Sequence, residues 1–399
     1  MKKVLFVCYG SGHVRMVLPV ARALQASGRA QVQVLGLTTA ATVVRDAGLP
    51  LLQVKDFAGP GDATALAKGR VLMQAMGAVA DEAETAAYLG LSYAELEAEV
   101  GAEEAQRRYA RDGRQAFLPV ALLQRILKVV GPNLVVATNS PRAERAAVLA
   151  ARQLGIPAVC IVDLFAVDEA RWIRALDYAD RVCVLNEFVR DFLVASGREP
   201  GQIAITGNPA FDALQDDATV REGQALRTAK GWARHRVLLW PSQVEPAFHP
   251  FNGQPGDATL PARVLGAVVR WTLAHEDVVL CVRPRAGEAP PELPAHERIV
   301  LTGQDWRLPV LLHAVDVVVT LTSTVGLEGH LAGTRVVQVL GSVFDRAMPL
   351  ARFGIADAAV PVAGLDAALA HWTRMGRRPP AKRESAATAR VIDVLGEFL

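Results

Sequence analysis

Apolar residues fall in short runs that alternate with segments of helical period. In the first half, KVLFVCY, VQVLGL and LPLLQV are separated by MVLPVARALQASG and AATVVRDAG. Strand-length β-branched runs between helix-period segments predict a parallel sheet wrapped by helices. Residues 62–116 interrupt this: rich in Ala, Glu and Arg and lacking a strand-like run, they predict helices inserted between the third and fourth strands. The alternation resumes with PNLVVATNS, PAVCIVD and RVCVLN. Around residues 206–235 it lapses into Gly207-Asn208-Pro209, Asp216-Asp217 and the polar RTAKGWARHR. RVLLW then opens a second series that runs through DVVLCVRP, RIVLTG, DVVVTLTS, TRVVQVL and AAVPV.

The expected fold class is therefore α/β, with two Rossmann-like, doubly wound parallel-sheet domains. The first spans 1–207, a linker 208–232, the second domain 233–378, and a last helix lies within 379–399 and packs back on one of them. Length agrees, since 399 residues exceed one ordinary core and 51% hydrophobic content lets each half bury its own. In open parallel sheets ligands bind beyond the carboxyl ends of the strands, and two such domains facing each other would form a cleft there. Chemistry is thus expected at strand-to-helix turns.

A net charge of +2 gives no reason to expect nucleic acid or an acidic polymer as partner. Cys8, Cys160, Cys183 and Cys281 lie in apolar runs without metal-ligand spacing, which predicts buried, reduced thiols in a cytoplasmic protein. The opening MKKVLFVCYG is too short in its apolar run for a signal peptide, and no stretch approaches a membrane span. The amphipathic FLPVALLQRILKVV leaves a peripheral membrane contact open, although as the helix before a core strand it is expected to be buried. A homodimer is equally compatible with the sequence.

The first turn is Gly10-Ser11-Gly12-His13, whose glycines would let backbone N–H groups approach an anion or a sugar at a helix N-terminus. It is not a dinucleotide fingerprint, because Arg15 stands where a third glycine is needed, and no Walker A motif occurs. His13 is either a solvated first-turn residue or a general base, a role that imidazole suits because its ordinary pKa lies near working pH. The second turn, TLTSTVGLEGHLAG, places Thr322, Ser323 and Thr324 at the mouth of a helix, where hydroxyls and N–H groups suit phosphate oxygens. Gly326 would leave room for close approach, and Glu328 could accept from two vicinal hydroxyls such as those of a ribose. The alternative is an ordinary N-cap with a carboxylate complementing the helix dipole. Ser242 and Gln243 after RVLLW, and Arg283 after DVVLCV, are further polar candidates, the arginine for forked bonds to a diphosphate. No D-x-D triplet is present, so no metal site is expected.

These residues resemble the GT-B proteins, the two-Rossmann-domain fold shared by many nucleotide-sugar glycosyltransferases and by non-hydrolysing UDP-GlcNAc 2-epimerases. GSGHVRMVLPVARAL is similar to the glycine-rich, histidine-containing turn that opens many GT-B transferases. The stretch from PNLVVATNS to TGNPAFDAL follows the epimerase order, and TSTVGLEGHLAGTRVVQV resembles both epimerases and capsule-polysaccharide transferases. The resemblance implies a donor diphosphate at Ser323, Thr324 and Gly326, a nucleotide ribose on Glu328, and Gly10, Ser11, Gly12, His13 and Asn139 on the acceptor side. Two epimerase features are changed. Trp240-Pro241-Ser242-Gln243 replaces a His-Arg-rich turn, and Asn139 and Val162 replace acidic residues, with Asp163 adjacent to the second. The expectation is an inverting, metal-independent glycosyltransferase that uses a UDP-sugar, has His13 or Asp163 as base, needs no further cofactor, and acts in surface polysaccharide, glycolipid or natural-product synthesis. An epimerase-like enzyme ranks second and a non-catalytic nucleotide-sugar binder third.

Overall fold

The computed structural model describes all residues except Ser11, Gly77, Ala78, Ala80, Phe251, Ala286, Gln304 and 379–385. It forms two compact units, one holding Met1–Ala210 and the terminal helix Ala387–Gly396, the other beginning at Phe211.

In the first unit the strands are β1 (Lys3–Cys8), β2 (Gln31–Gly36), β3 (Leu51–Leu52), β4 (Leu134–Thr138), β5 (Ala158–Ile161), β6 (Arg181–Val184) and β7 (Ile203–Ile205). They pair in the order β3-β2-β1-β4-β5-β6-β7, all parallel, with β1 in register from Val4↔Val32 on one side and Val4↔Leu134 on the other. Central strands covered on both faces must be apolar throughout, and Val4 to Cys8 and Leu134 to Thr138 are accordingly sealed from solvent. The insertion consists of the helices Ala63–Gln74, Glu82–Val100 and Ala102–Asp112, the second capped by Asp81, whose side chain accepts the Glu84 N–H at 3.0 Å.

The second unit carries β8 (Arg236–Pro241), β9 (Val278–Arg283), β10 (Ile299–Leu301), β11 (Val317–Thr320), β12 (Arg335–Val339) and β13 (Ala358–Val360), parallel in the order β10-β9-β8-β11-β12-β13. Its core includes Leu238, Trp240, Val264, Val268, Leu280 and Val319. In each sheet the order reverses beside the first strand, between β1 and β4 and between β8 and β11. In doubly wound sheets such a reversal sends the connecting helices to opposite faces and leaves a crevice at the strand ends.

Residues 208–232, polar enough to read as a linker, contain the helix Asp217–Ala229, and Leu214 and Leu226 from this stretch pack into the second unit's core. The terminal helix Ala387–Gly396 buries Val391, Val394 and Leu395 in the first unit's core. The helix Val120–Val130 buries its apolar face, and all four cysteines are buried and free. No helix among the described residues is long and apolar enough to cross a membrane.

Candidate functional site

In the first unit β1 brings Tyr9 and Gly10 to the β1/β4 reversal, where the helix Gly12–Ala26 begins. His13 lies in its first turn, partly buried, with Nδ1 2.8 Å from Thr138 Oγ1 at the end of β4. Thr138 Oγ1 is 3.4 Å from Glu144 Oε1, which also accepts the Tyr9 N–H at 2.7 Å. Thr138 and Glu144 are both wholly buried. Glu144 stands in the first turn of the helix Ala143–Gln153, where a carboxylate complements the helix dipole.

Asp163, two residues past β5, is locked at its backbone: its N–H donates to Asn139 Oδ1 at 2.8 Å and its carbonyl accepts from Asn208 Nδ2 at 2.6 Å. Its carboxyl group faces Gly12, since a Cβ built there would stand 3.7 Å from Oδ2. Burial pushes this carboxyl above the usual carboxylate range, with the charge of His13 and a bond from Asn208 opposing it. Glu169 is raised too, by burial and by repulsion from Asp168 and Asp163, against the pull of its own backbone N–H and of His13. Gly12, His13, Asn139 and Asp163 thus meet at one point, whereas Ser11 lies outside the described residues. Gly10 serves differently from the expectation. A Cβ there would fall 1.8 Å from Thr39 Oγ1, so the glycine makes room for Thr39 rather than for a ligand. A cavity of about 280 Å³ opens beside it, lined by Tyr9, Thr38, Thr39, Tyr88 and Arg114.

The second unit's turn is a self-bonded cap. Ser323 Oγ accepts the Val325 N–H at 3.2 Å, the Ser323 N–H donates to Thr320 Oγ1 at 3.2 Å, and the Gly326 N–H donates to Ser323 O at 3.0 Å. Gln243 splints it from β8, with Oε1 accepting the Thr322 N–H at 2.8 Å and Nε2 donating to Thr320 Oγ1 at 3.1 Å. Ser242 is nearly buried, its N–H on the Arg283 carbonyl at 2.8 Å. Gly326 departs from expectation as well: it is buried, and an added Cβ would press Thr320 Cγ2 at 3.0 Å and Leu350 Cδ1 at 3.1 Å, so it seats the helix on the sheet. Arg283 donates to Trp306 O at 2.7 Å, and burial lowers its pKa while Glu328 and Asp305 pull it back up. Arg283 and Glu328 therefore share one electrostatic neighbourhood, with exposed Thr324 at the start of the same helix. A cavity of about 540 Å³ adjoins Ser242, Gln243 and Glu245, walled by Leu265 and Leu293.

Thr138, Glu144, Glu169 and Asn208 in the first unit and Glu245 in the second had no sequence signal strong enough to single them out. The faintest available one was an acidic residue in the first turn after a core strand, as at Glu144. Glu245 is buried, taking Ser342 Oγ–H and the Val343 N–H at 2.7 Å each. Among the described residues no group of three or more His, Cys, Asp or Glu is placed to hold a metal ion.

Residues 280–348 match the family model described as capsule polysaccharide biosynthesis protein, a stretch that includes Arg283 and the whole 322–328 turn. No curated protein matches the chain. Among solved structures, it resembles UDP-GlcNAc 2-epimerase from Neisseria meningitidis bound to UDP-GlcNAc, at 12% identity and a TM-score of 0.58, over 99% of this chain and 100% of that one. The UDP-GlcNAc 2-epimerase from Methanocaldococcus jannaschii is similar at 12% identity and 0.58, over 99% of each chain. The glycosyltransferase SnogD from Streptomyces nogalater is similar at 18% identity and 0.50, over 98% of this chain and 99% of that one. The chain thus has the fold, two parallel-sheet α/β units, that UDP-GlcNAc 2-epimerases and GT-B glycosyltransferases share, as its motifs implied.

Proposed function

We propose that the protein is a glycosyltransferase that moves a sugar from a UDP-sugar to an acceptor hydroxyl, by inversion and without a metal ion, in the synthesis of a surface polysaccharide or related glycoconjugate. The observation that carries this reading is His13, an imidazole at the β1/β4 reversal that is bonded through Nδ1 and accompanied by Asp163. In the reaction the acceptor oxygen attacks the anomeric carbon, its proton passes to His13, and the carbon–oxygen bond to the diphosphate breaks with its electron pair leaving on phosphate. The second unit holds the leaving group. Because the N–H groups of Ser323, Val325 and Gly326 are bonded locally and that of Thr322 to Gln243, Arg283 and the Thr324 hydroxyl carry the diphosphate and Glu328 the ribose. Donors fixed in place before charge develops stabilise it without reorganisation. The match of residues 280–348 to a capsule-polysaccharide family supports the product class.

One observation favours an epimerase-like second reading: Asp163 and Glu169, both held up by burial beside His13, could exchange a proton at carbon 2 of the sugar. Incubation with UDP-GlcNAc in D2O separates the two. A transferase releases UDP only with acceptor and leaves carbon 2 unlabelled; deuterium at carbon 2 and a 2-epimer without acceptor would replace the first reading by the second.

A further inference from the structure

The His13 imidazole is not bonded to a carboxylate directly but through a hydroxyl, and the direction of that chain can be read. Glu144 Oε1 receives the Tyr9 N–H at 2.7 Å, and a backbone N–H can only donate, so this oxygen is an acceptor. Its partner Oε2 is buried without a hydrogen-bond partner. A wholly buried carboxylate with one oxygen unpaired strongly demands any donor within reach of the other. The remaining donor is the Thr138 hydroxyl, 3.4 Å away. It has a single proton. Once that proton points at Glu144, the oxygen presents only a lone pair to Nδ1 at 2.8 Å, and Nδ1 must carry the hydrogen. Among the described residues Nε2 makes no hydrogen bond.

We propose that Thr138 and Glu144 are positioning residues that hold neutral His13 in the Nδ1–H tautomer, leaving the lone pair of Nε2 to take the acceptor's proton. The proposal rests on His13 acting as base, and it assigns which nitrogen acts and what fixes it. Neither residue touches substrate. Asp163, beside Gly12, interacts with His13 by charge and does not share in this bond.

The tautomer can be read without any substrate by 15N–1H correlation spectroscopy of the neutral imidazole in the whole protein. The wild type should show the hydrogen on Nδ1. Thr138→Val, which keeps the shape and deletes the hydroxyl, should give a mixture of tautomers, and Thr138→Ser should restore the single form. Glu144→Gln keeps a carbonyl oxygen on the Tyr9 N–H and beside Thr138 but removes the charge that demands the hydroxyl's proton, so it too should give a mixture of tautomers. In the transfer assay Thr138→Val should lose about tenfold or more in kcat with the donor KM unchanged. A wild-type Nε2–H tautomer, or a Thr138→Val spectrum identical to wild type in a folded protein, overturns the proposal. Because the spectrum needs no turnover, an absent transferase activity beside the expected tautomer would sink the functional reading alone. The expected activity beside the wrong tautomer would sink this one alone.

Discussion

Two turns built on the same topology do opposite things with their polar groups. At the end of β1 the first unit gathers ionisable groups: an imidazole, a buried carboxylate behind a hydroxyl, and two carboxyls raised by burial. At the end of β11 the second unit gathers groups of fixed charge, a serine N-cap, a glutamine splint and an arginine bonded to a carbonyl. The lesson is that a glycine-rich strand-to-helix turn has no chemistry of its own. What comes from neighbouring strands decides it: Thr138 and Asp163 in one case, Gln243 and Arg283 in the other. Changes in the first unit should therefore act on turnover, and changes in the second on donor affinity and helix stability.

His13→Ala should show the largest effect, lowering kcat by about 10²–10⁴-fold, the usual worth of a general base. The donor KM and the thermal stabilisation by UDP should stay as in wild type. Steady-state kinetics beside a UDP melting series checks both, and a lost UDP response would break the division of labour between the units.

Glu328→Ala is the counterpart in the second unit. A hydrogen bond to a charged group is worth about 1.5–3 kcal/mol, so UDP affinity should fall roughly 10- to 150-fold. Wild type at about 100 times its dissociation constant gains about 2.7 kcal/mol from the ligand, and at the same concentration the variant should lose about half to nine-tenths of that gain. An undiminished UDP response would remove the donor site from this helix.

Gly326→Ala tests packing rather than binding. The new methyl would sit 3.0 Å from Thr320 Cγ2 and 3.1 Å from Leu350 Cδ1, so these side chains or the helix must give by a few tenths of an ångström, at about 1–3 kcal/mol. Among the described residues Gly12→Ala has only the Asp163 carboxylate near it, at ordinary contact distance, and should leave stability within about 0.5 kcal/mol. Urea unfolding of the pair measures the contrast, and equal losses would mean that Gly12 too is a packing glycine.

The division into alternating strands and helices was legible because a doubly covered parallel strand must be apolar along its length, as VLFVC and LVVA are. What escaped had weak or misleading local pattern. β7 is a three-residue edge strand, too short to show a run, and the helix Asp217–Ala229 is polar on most faces, so it read as linker. Around the first turn, His13 was singled out from the glycine-rich motif and Asn139 and Asp163 from the family resemblance, and the fold brings the three together. Glu144 was not singled out, because a carboxylate in a helix's first turn is common on exposed helices and only the fold shows that this one is sealed. The two glycines misread as openings for ligand, Gly10 and Gly326, show the same limit: a missing Cβ looks alike in sequence whether ligand, Thr39 or Leu350 fills the space.

The smallest effect sharpens the contrast through pH. Burial holds Asp163 above the usual carboxylate range in the folded chain, while the unfolded chain titrates within it. Between those two values the folded state keeps a proton that the unfolded state has released. Stability must therefore fall as pH rises through that window and level off above it. Glu169, Glu84 and Asp345, also raised by burial, add slopes of the same sign, so the quantity to measure is the difference between wild type and Asp163→Asn. Denaturant unfolding from the ordinary carboxylate range to neutrality should show the variant gaining on wild type as pH rises. Ser323→Ala, which removes an N-cap in the second unit, should instead cost about 1 kcal/mol at every pH. A titrating group bends the stability curve while a fixed cap only displaces it, so a parallel offset for Asp163→Asn would place Asp163 with the groups that do not titrate in this window.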